Sequence, residues 1–183
     1  MNGHHLILGE LTDYITGETL QDTHDERYRQ KLARLLIDGK QYPREEVSRQ
    51  VELRVRAADK LARIRIDFVV SLSSRPVMIV RYGPGSIVTR RRPALAASRL
   101  IASHQIPVVV VTNGESAEIL DGASGEVLSF GLGSIPSRHD LLACMPGFSF
   151  DPISPERAEL ESRILYAFDV DDICPCDDTV CLL

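Results

Sequence analysis

The chain has 183 residues, of which 44% are hydrophobic and 26% charged, with a formal net charge of −5. That balance is ordinary for one globular domain with a sizeable core. No apolar run approaches the roughly 20 residues that span a bilayer. The opening stretch, Met1 to Tyr14, lacks the cationic segment of a secretory leader, so a cytoplasmic protein with reduced thiols and no membrane partner is expected.

After a turn-rich arm, Thr23 or Asp25 can cap a helix that runs through Ile37, with Tyr28, Leu32, Leu35 and Leu36 at helical spacing and Gly39 closing it. Ser48–Val55 alternates apolar and charged residues as a strand does, and a turn or poorly ordered link follows over 56–62. Ile64–Leu72 reads as a half-buried strand, with Ile64, Ile66 and Phe68 on one face and Arg63, Arg65 and Asp67 on the other. Pro76–Tyr82 is apolar nearly throughout, as suits a central strand covered on both faces. A Gly83-Pro84-Gly85 corner and a triple arginine then lead to a helix over 94–104, a strand Val108–Val111, the turn Thr112-Asn113-Gly114, and a hairpin of 117–120 with 126–130. Two further helices are predicted, Asp140–Cys144 and Pro155–Tyr166. The order implies an α/β fold: a mixed central β-sheet of about four or five strands flanked by helices, with an irregular Cys-containing C-terminal extension. The expected boundaries are an arm over 1–23, an α/β domain over 24–133, and a helical, Cys- and Asp-rich extension over 134–183.

Charge is distributed unevenly. Residues 68–114 contain no acid but six arginines, whereas 151–183 contain nine acids against Arg157 and Arg163. Ser86, Arg90, Arg91 and Arg92 surround the glycine corner just before a helix N-terminus, where guanidinium forks and the helix dipole suit phosphate. The alternative is a basic turn that salt-bridges the acidic end of the chain. Asp67 lies inside a strand, within hairpin reach of Arg81, and the two are expected to face each other, either as a site or as a buried structural ion pair. The four cysteines, Cys144, Cys174, Cys176 and Cys181, supply the four thiolates of a structural Zn²⁺ site, or alternatively of an iron–sulfur cluster. A frayed tail with reduced cysteines is the other reading.

Glu26-Arg27-Tyr28-Arg29-Gln30 with Leu35, Gly39 to Pro43, Ile66-Asp67-Phe68-Val69-Val70, Pro76-Val77-Met78-Ile79-Val80 and Val109-Val110-Val111-Thr112-Asn113-Gly114 occur in a characteristic order. In that order and spacing the chain resembles the N-terminal domain of the R subunit of type I restriction enzymes, in the PD-(D/E)xK nuclease superfamily. The resemblance implies a restriction-endonuclease-like fold and a DNA partner, with a partner protein or a second copy as further partners. It implies catalytic positions at Glu26, Asp67 and Arg81, with Mg²⁺ as cofactor if the site is active. In the active form Glu26 and Asp67 would hold Mg²⁺, Arg81 would stabilise the phosphate, and Arg90, Arg91 and Arg92 would track the DNA backbone, giving a metal-dependent endodeoxyribonuclease. The superfamily's Glu-x-Lys falls on Ile79 or Val80 and on Arg81 or Tyr82, so the third acid is missing and a degenerate centre is expected. The alternative is a non-catalytic structural or regulatory protein with a cysteine metal clip.

Overall fold

The computed structural model describes residues 7–171 and, as backbone, 180–182. A short antiparallel hairpin, β1 (Glu10–Thr12) with β2 (Thr19–Gln21), precedes helix α1 (His24–Arg34). Thr23 caps α1 by accepting the Glu26 N–H at 3.1 Å, and Asp25 and Glu26 sit in its first turn, where the helix dipole favours acids. A π-helical turn, Leu35–Gly39, ends it.

The main sheet runs in the order β3 (Val47–Ala57), β4 (Lys60–Leu72), β5 (Arg75–Tyr82), β6 (Val108–Thr112), β7 (Ala117–Asp121), β8 (Val127–Phe130). With β9 (Val180–Leu182) paired to β4, seven strands are described, more than the four or five expected. Only β5 and β6 run parallel, because helix α2 (Arg91–Leu100) carries the chain across between them, and all other pairs are antiparallel. Helices α3 (Arg138–Cys144) and α4 (Pro155–Tyr166) complete the layers. The mixed sheet flanked by helices is the α/β architecture the sequence implied.

Each face of the sheet has its own core. Leu32 and Ala33 of α1 and Leu36 of the π-helical turn pack with Phe68, Val70, Met78, Val80, Val110 and Leu141 on one face. On the other, Ala94 and Ala97 of α2 and Leu165 and Tyr166 of α4 pack with Ile64, Ile66, Ile79 and Val109. The helical part of the chain after residue 134 is therefore built into the sheet, α3 on the first face through Leu141 and α4 on the second through Leu165 and Tyr166.

Of the two readings of 56–62 the turn holds: it is a tight two-residue turn, Ala58 and Asp59, with Ala58 in the left-handed region at φ 54. One expectation needs correction. The strand bearing Asp67 does not keep one face throughout: Ile64 and Ile66 belong to one core and Phe68 to the other. The cause lies on β3, where Gln50 has φ 49 and sits between the pairs Arg49↔Phe68 and Val51↔Ile66. A positive φ for a non-glycine residue turns the strand locally, so the faces exchange at Asp67 and Gln50 on both strands. Strict period-two reasoning has no access to such an exchange.

Candidate functional site

Asp67 lies at the exchange point, where pairing of β4 with β5 begins at Phe68↔Val80. Being 4% exposed, its carboxylate needs internal partners. It accepts the Tyr82 backbone N–H at 2.8 Å, and Arg29 Nε of α1 at 2.8 Å. Arg29 also reaches Glu26, one helical turn back, at 3.6 Å. Its guanidinium thus bridges the helix acid and the strand acid. Burial alone would lower the Arg29 pKa, but the adjoining Asp67 and Glu26 carboxylates hold it above the ordinary value.

The network extends outward from Glu26. Arg49 of β3 contacts Glu26 at 2.9 Å and Asp13 at 2.7 Å. The Gln30 amide donates to Asp13 and Glu26, both at 2.8 Å, while its carbonyl oxygen accepts the Tyr14 N–H at 2.7 Å. Burial would raise the Asp13 pKa, yet the N–H of Thr16, the Gln30 amide and Arg49 together hold it below the usual carboxylate range. Three carboxylates, two guanidiniums and one amide thereby close on one another, tying the N-terminal hairpin and α1 to the sheet.

The aromatic rings beside this network have fixed roles. Tyr82 stacks on Tyr28 at 5.7 Å, lies under the Arg29 guanidinium at 5.6 Å, and donates its hydroxyl to Asp25 at 3.0 Å. Gly114, at φ 88, lets Tyr28 approach, since a Cβ there would fall 2.3 Å from Tyr28 Cδ1. The Thr112-Asn113-Gly114 segment is a turn, as its residue types imply: Thr112 Oγ1 accepts the Gly114 N–H at 2.9 Å, and Asn113 Oδ1 accepts the N–H of Glu115 and of Ser116.

Glu26 and Asp67 are brought together as expected, whereas the Asp67–Arg81 ion pair does not form. Asp67 is claimed by Arg29 and Tyr82, and Arg81 turns to Asp169, just after α4, at 2.7 Å. Because Arg81 is tied to the segment after α4, it is not presented to a phosphate beside Glu26 and Asp67. The arginine triplet is likewise engaged. Arg91 donates to Glu118 at 2.7 Å, Arg92 meets Glu161 at 2.6 Å, and Arg90 donates to the Pro84 carbonyl at 3.1 Å. Ser86 is exposed, its carbonyl accepting the Thr89 hydroxyl at 3.0 Å. Arg99 and Arg157 also converge on Glu161, at 2.8 and 2.6 Å. Glu161 and Asp169 belong to the acidic end of the chain, which therefore neutralises three arginines of the acid-free stretch, Arg81, Arg92 and Arg99.

Mg²⁺ needs near-octahedral oxygen ligation at close distances. Here the two inherited carboxylates share a guanidinium, and the third acid's position is Ile79 or Val80, both fully buried. As placed, this donor set does not fit the ion. Among the described residues no group of three or more His, Cys, Asp or Glu is arranged to hold a metal. Cys144 is exposed at the end of α3. Cys174 and Cys176 lie outside the described residues, and Cys181 is described only as backbone in β9.

The residues missed from sequence are Arg29, Arg49, Asp13, Gln30 and Asp169, while Tyr82, an alternative for the Lys position, enters through its backbone N–H and ring. Arg29 had a signal, since position i+3 from Glu26 shares its helix face. Asp13 and Arg49 had none, because only the folded chain brings the arm and the edge strand to α1.

A mixed sheet carrying an Asp at a strand junction, with a Glu-bearing helix laid across it, defines a restriction-endonuclease-like α/β domain. Residues 24–136, well over half of the chain, match the family described as type I restriction enzyme R protein N terminus, and the chain belongs to that family. Searches of curated proteins and of solved structures each return no match. No helix among the described residues is long and apolar enough to cross a membrane.

Proposed function

We propose that this chain is a catalytically degenerate restriction-endonuclease-like domain that associates with DNA without cutting it. The observation carrying this reading is the Arg29 guanidinium bridging Glu26 and Asp67, with no acid on β5 to complete a metal site. An ion pair of this kind is self-sufficient: each carboxylate's charge is met within the protein, so neither is free to bind a hard cation. Arginine, charged at every working pH, also cannot trade a proton with water as a lysine can. The chemistry has given way to a structural clasp, while the family fold persists.

Supercoiled plasmid incubated with the pure protein and Mg²⁺ or Mn²⁺ tests the reading, with Asp67→Ala prepared in parallel. The expected result is no cleavage above the buffer control with either protein. Cleavage by the unmodified chain that disappears in Asp67→Ala would overturn it.

A further inference from the structure

Arg29, Arg49, Arg81, Arg91, Arg92, Arg99 and Arg138, all buried or half-buried, each have a carboxylate partner within 4 Å. On the β3–β4 hairpin arginines outnumber the acids beside them. Leu53, Val55, Ala62, Ile64 and Ile66 turn into the second core, so the residues alternating with them face the other way. The register there pairs Glu52 with Arg65, Arg54 with Arg63, and Arg56 with Leu61. The outward face thus carries four arginines and one acid.

Arg54 and Arg63 sit directly opposite each other, an arrangement that destabilises a sheet. Among the described residues only Glu52 offsets them, at 3.8 Å from Arg54 and 3.2 Å from Arg63. Arg56 and Arg65 are exposed and make no ion pair among the described residues. Among the described residues the hairpin thus bears a cationic stripe offset by a single acid, on the edge strand β3 and its neighbour β4, where a large partner has access.

The stripe also has a definite place relative to the Glu26–Asp67 network. Because the faces exchange at Gln50 and Asp67, the outward side of the hairpin is the side on which α1 lies, and Arg65 is only two residues, about 6.8 Å of strand, from Asp67. We infer that the outward face of the β3–β4 hairpin, Arg54, Arg56, Arg63 and Arg65, is a docking surface for the phosphate backbone of duplex DNA.

Guanidinium forks pair with phosphate oxygens bidentately, and arginines spaced about 5 Å across and 6.8 Å along a sheet can follow closely spaced backbone charges. No aromatic side chain stands on this face, and single-strand binders rely on aromatic platforms for stacking bases. Duplex is therefore the nucleic acid that fits. The inference rests on the DNA-associated reading above and locates its contact surface.

The test is fluorescence anisotropy with a short labelled duplex over a series of salt concentrations. It compares the unmodified chain, Arg54→Ser/Arg65→Ser, and the control Arg75→Ser/Arg163→Ser, which removes equal charge at two exposed positions elsewhere. If two phosphate contacts are lost, the plot of log affinity against log salt becomes shallower by about 1.8 for the hairpin variant, while the control keeps its slope. Arg54→Lys/Arg65→Lys retains the charges and keeps most of the slope. Arg56→Ser, at an exposed position near the turn, gives a change of about 0.9 even if the double variant does not fold. Binding by the unmodified chain with an unchanged slope in the hairpin variants overturns the inference but leaves DNA association standing. Absence of any duplex binding overturns both. Equally tight binding of a single strand, or of polyglutamate, overturns the assignment to duplex.

Discussion

Arg29 Nε lies 2.8 Å from Asp67 Oδ1, and through this contact α1 is clamped to β4. Two charges withdrawn from water are tolerable only while both remain, and removing one strands the other. Arg29→Met leaves Asp67 with the Tyr82 N–H alone and exposes Glu26 to its acidic neighbours. The expected loss in urea unfolding is about 3–5 kcal/mol. Arg29→Met/Asp67→Asn removes both charges and is expected to cost clearly less than the two single changes added together, a coupling readable from the double-mutant cycle.

Glu161 sets the acid limit of the fold. Its carboxylate is fully buried, and burial would raise its pKa, but the ion pair with Arg92, the hydrogen bond from Arg157 and the charge of Arg99 bring it below its ordinary value of 4.5. The unfolded chain therefore binds a proton at higher pH than the folded one. The stabilisation is fully present above the ordinary value and is lost as pH falls through the lower, folded one. Asp13 adds to the same slope, for its pKa is held below 3.8. Melting temperatures recorded from neutral pH to about pH 3 should fall steeply at the acid end, and Glu161→Gln should flatten that fall while lowering stability at neutral pH.

Much of this fold was legible because local pattern and tertiary environment agree. Pro155–Tyr166 is a helix with the bounds the sequence implied, and in the structure Ser154 caps it with Pro155 in its first turn. The apolar runs at 76–82 and 108–111 are central strands because both faces of the sheet are covered. The site was only half legible. Glu26 and Asp67 fall together as the family pattern implies, but their partners come from one helical turn, from an edge strand and from the arm, and only folding sets those distances. The face exchange at Asp67 depends on the φ of Gln50, and nothing about a glutamine in a strand announces a positive value. Arg81 was misassigned for the same reason: adjacency to Asp67 in the sequence pattern did not decide toward which layer it points.

Gly114 carries a prediction of its own. Its φ of 88 lies in the left-handed region, and the Tyr28 ring occupies the space a side chain would need. Gly114→Ala combines backbone strain with displacement of a ring that stacks on Tyr82. A loss of about 1–3 kcal/mol is expected from the backbone alone. Gly133→Ala provides the control, because no atom lies within 4 Å of a Cβ there and its backbone is outside the left-handed region. Thermal unfolding of the two variants side by side distinguishes steric exclusion from a general effect of losing glycine.

The family match ends at residue 136, yet the fold's second core does not. Leu165, fully buried, enters that core from α4 beside Tyr166 and close to the residues of α2 and β4. Glu161 one turn earlier binds Arg92 and Arg99 of α2, so apolar packing and ion pairing act on the same helix–helix contact. Leu165→Ala removes buried methyl groups from a site whose walls are sheet and helix and cannot easily collapse, which predicts a loss of about 2–5 kcal/mol. Leu160, on the same helix but 53% exposed, provides the comparison: Leu160→Ala should change stability by no more than about 0.5 kcal/mol. If Leu165→Ala were as mild as Leu160→Ala, α4 would be an appendage resting on a domain complete without it. A large difference, measured as a shift in the urea midpoint at constant slope, makes the helix part of the folding unit.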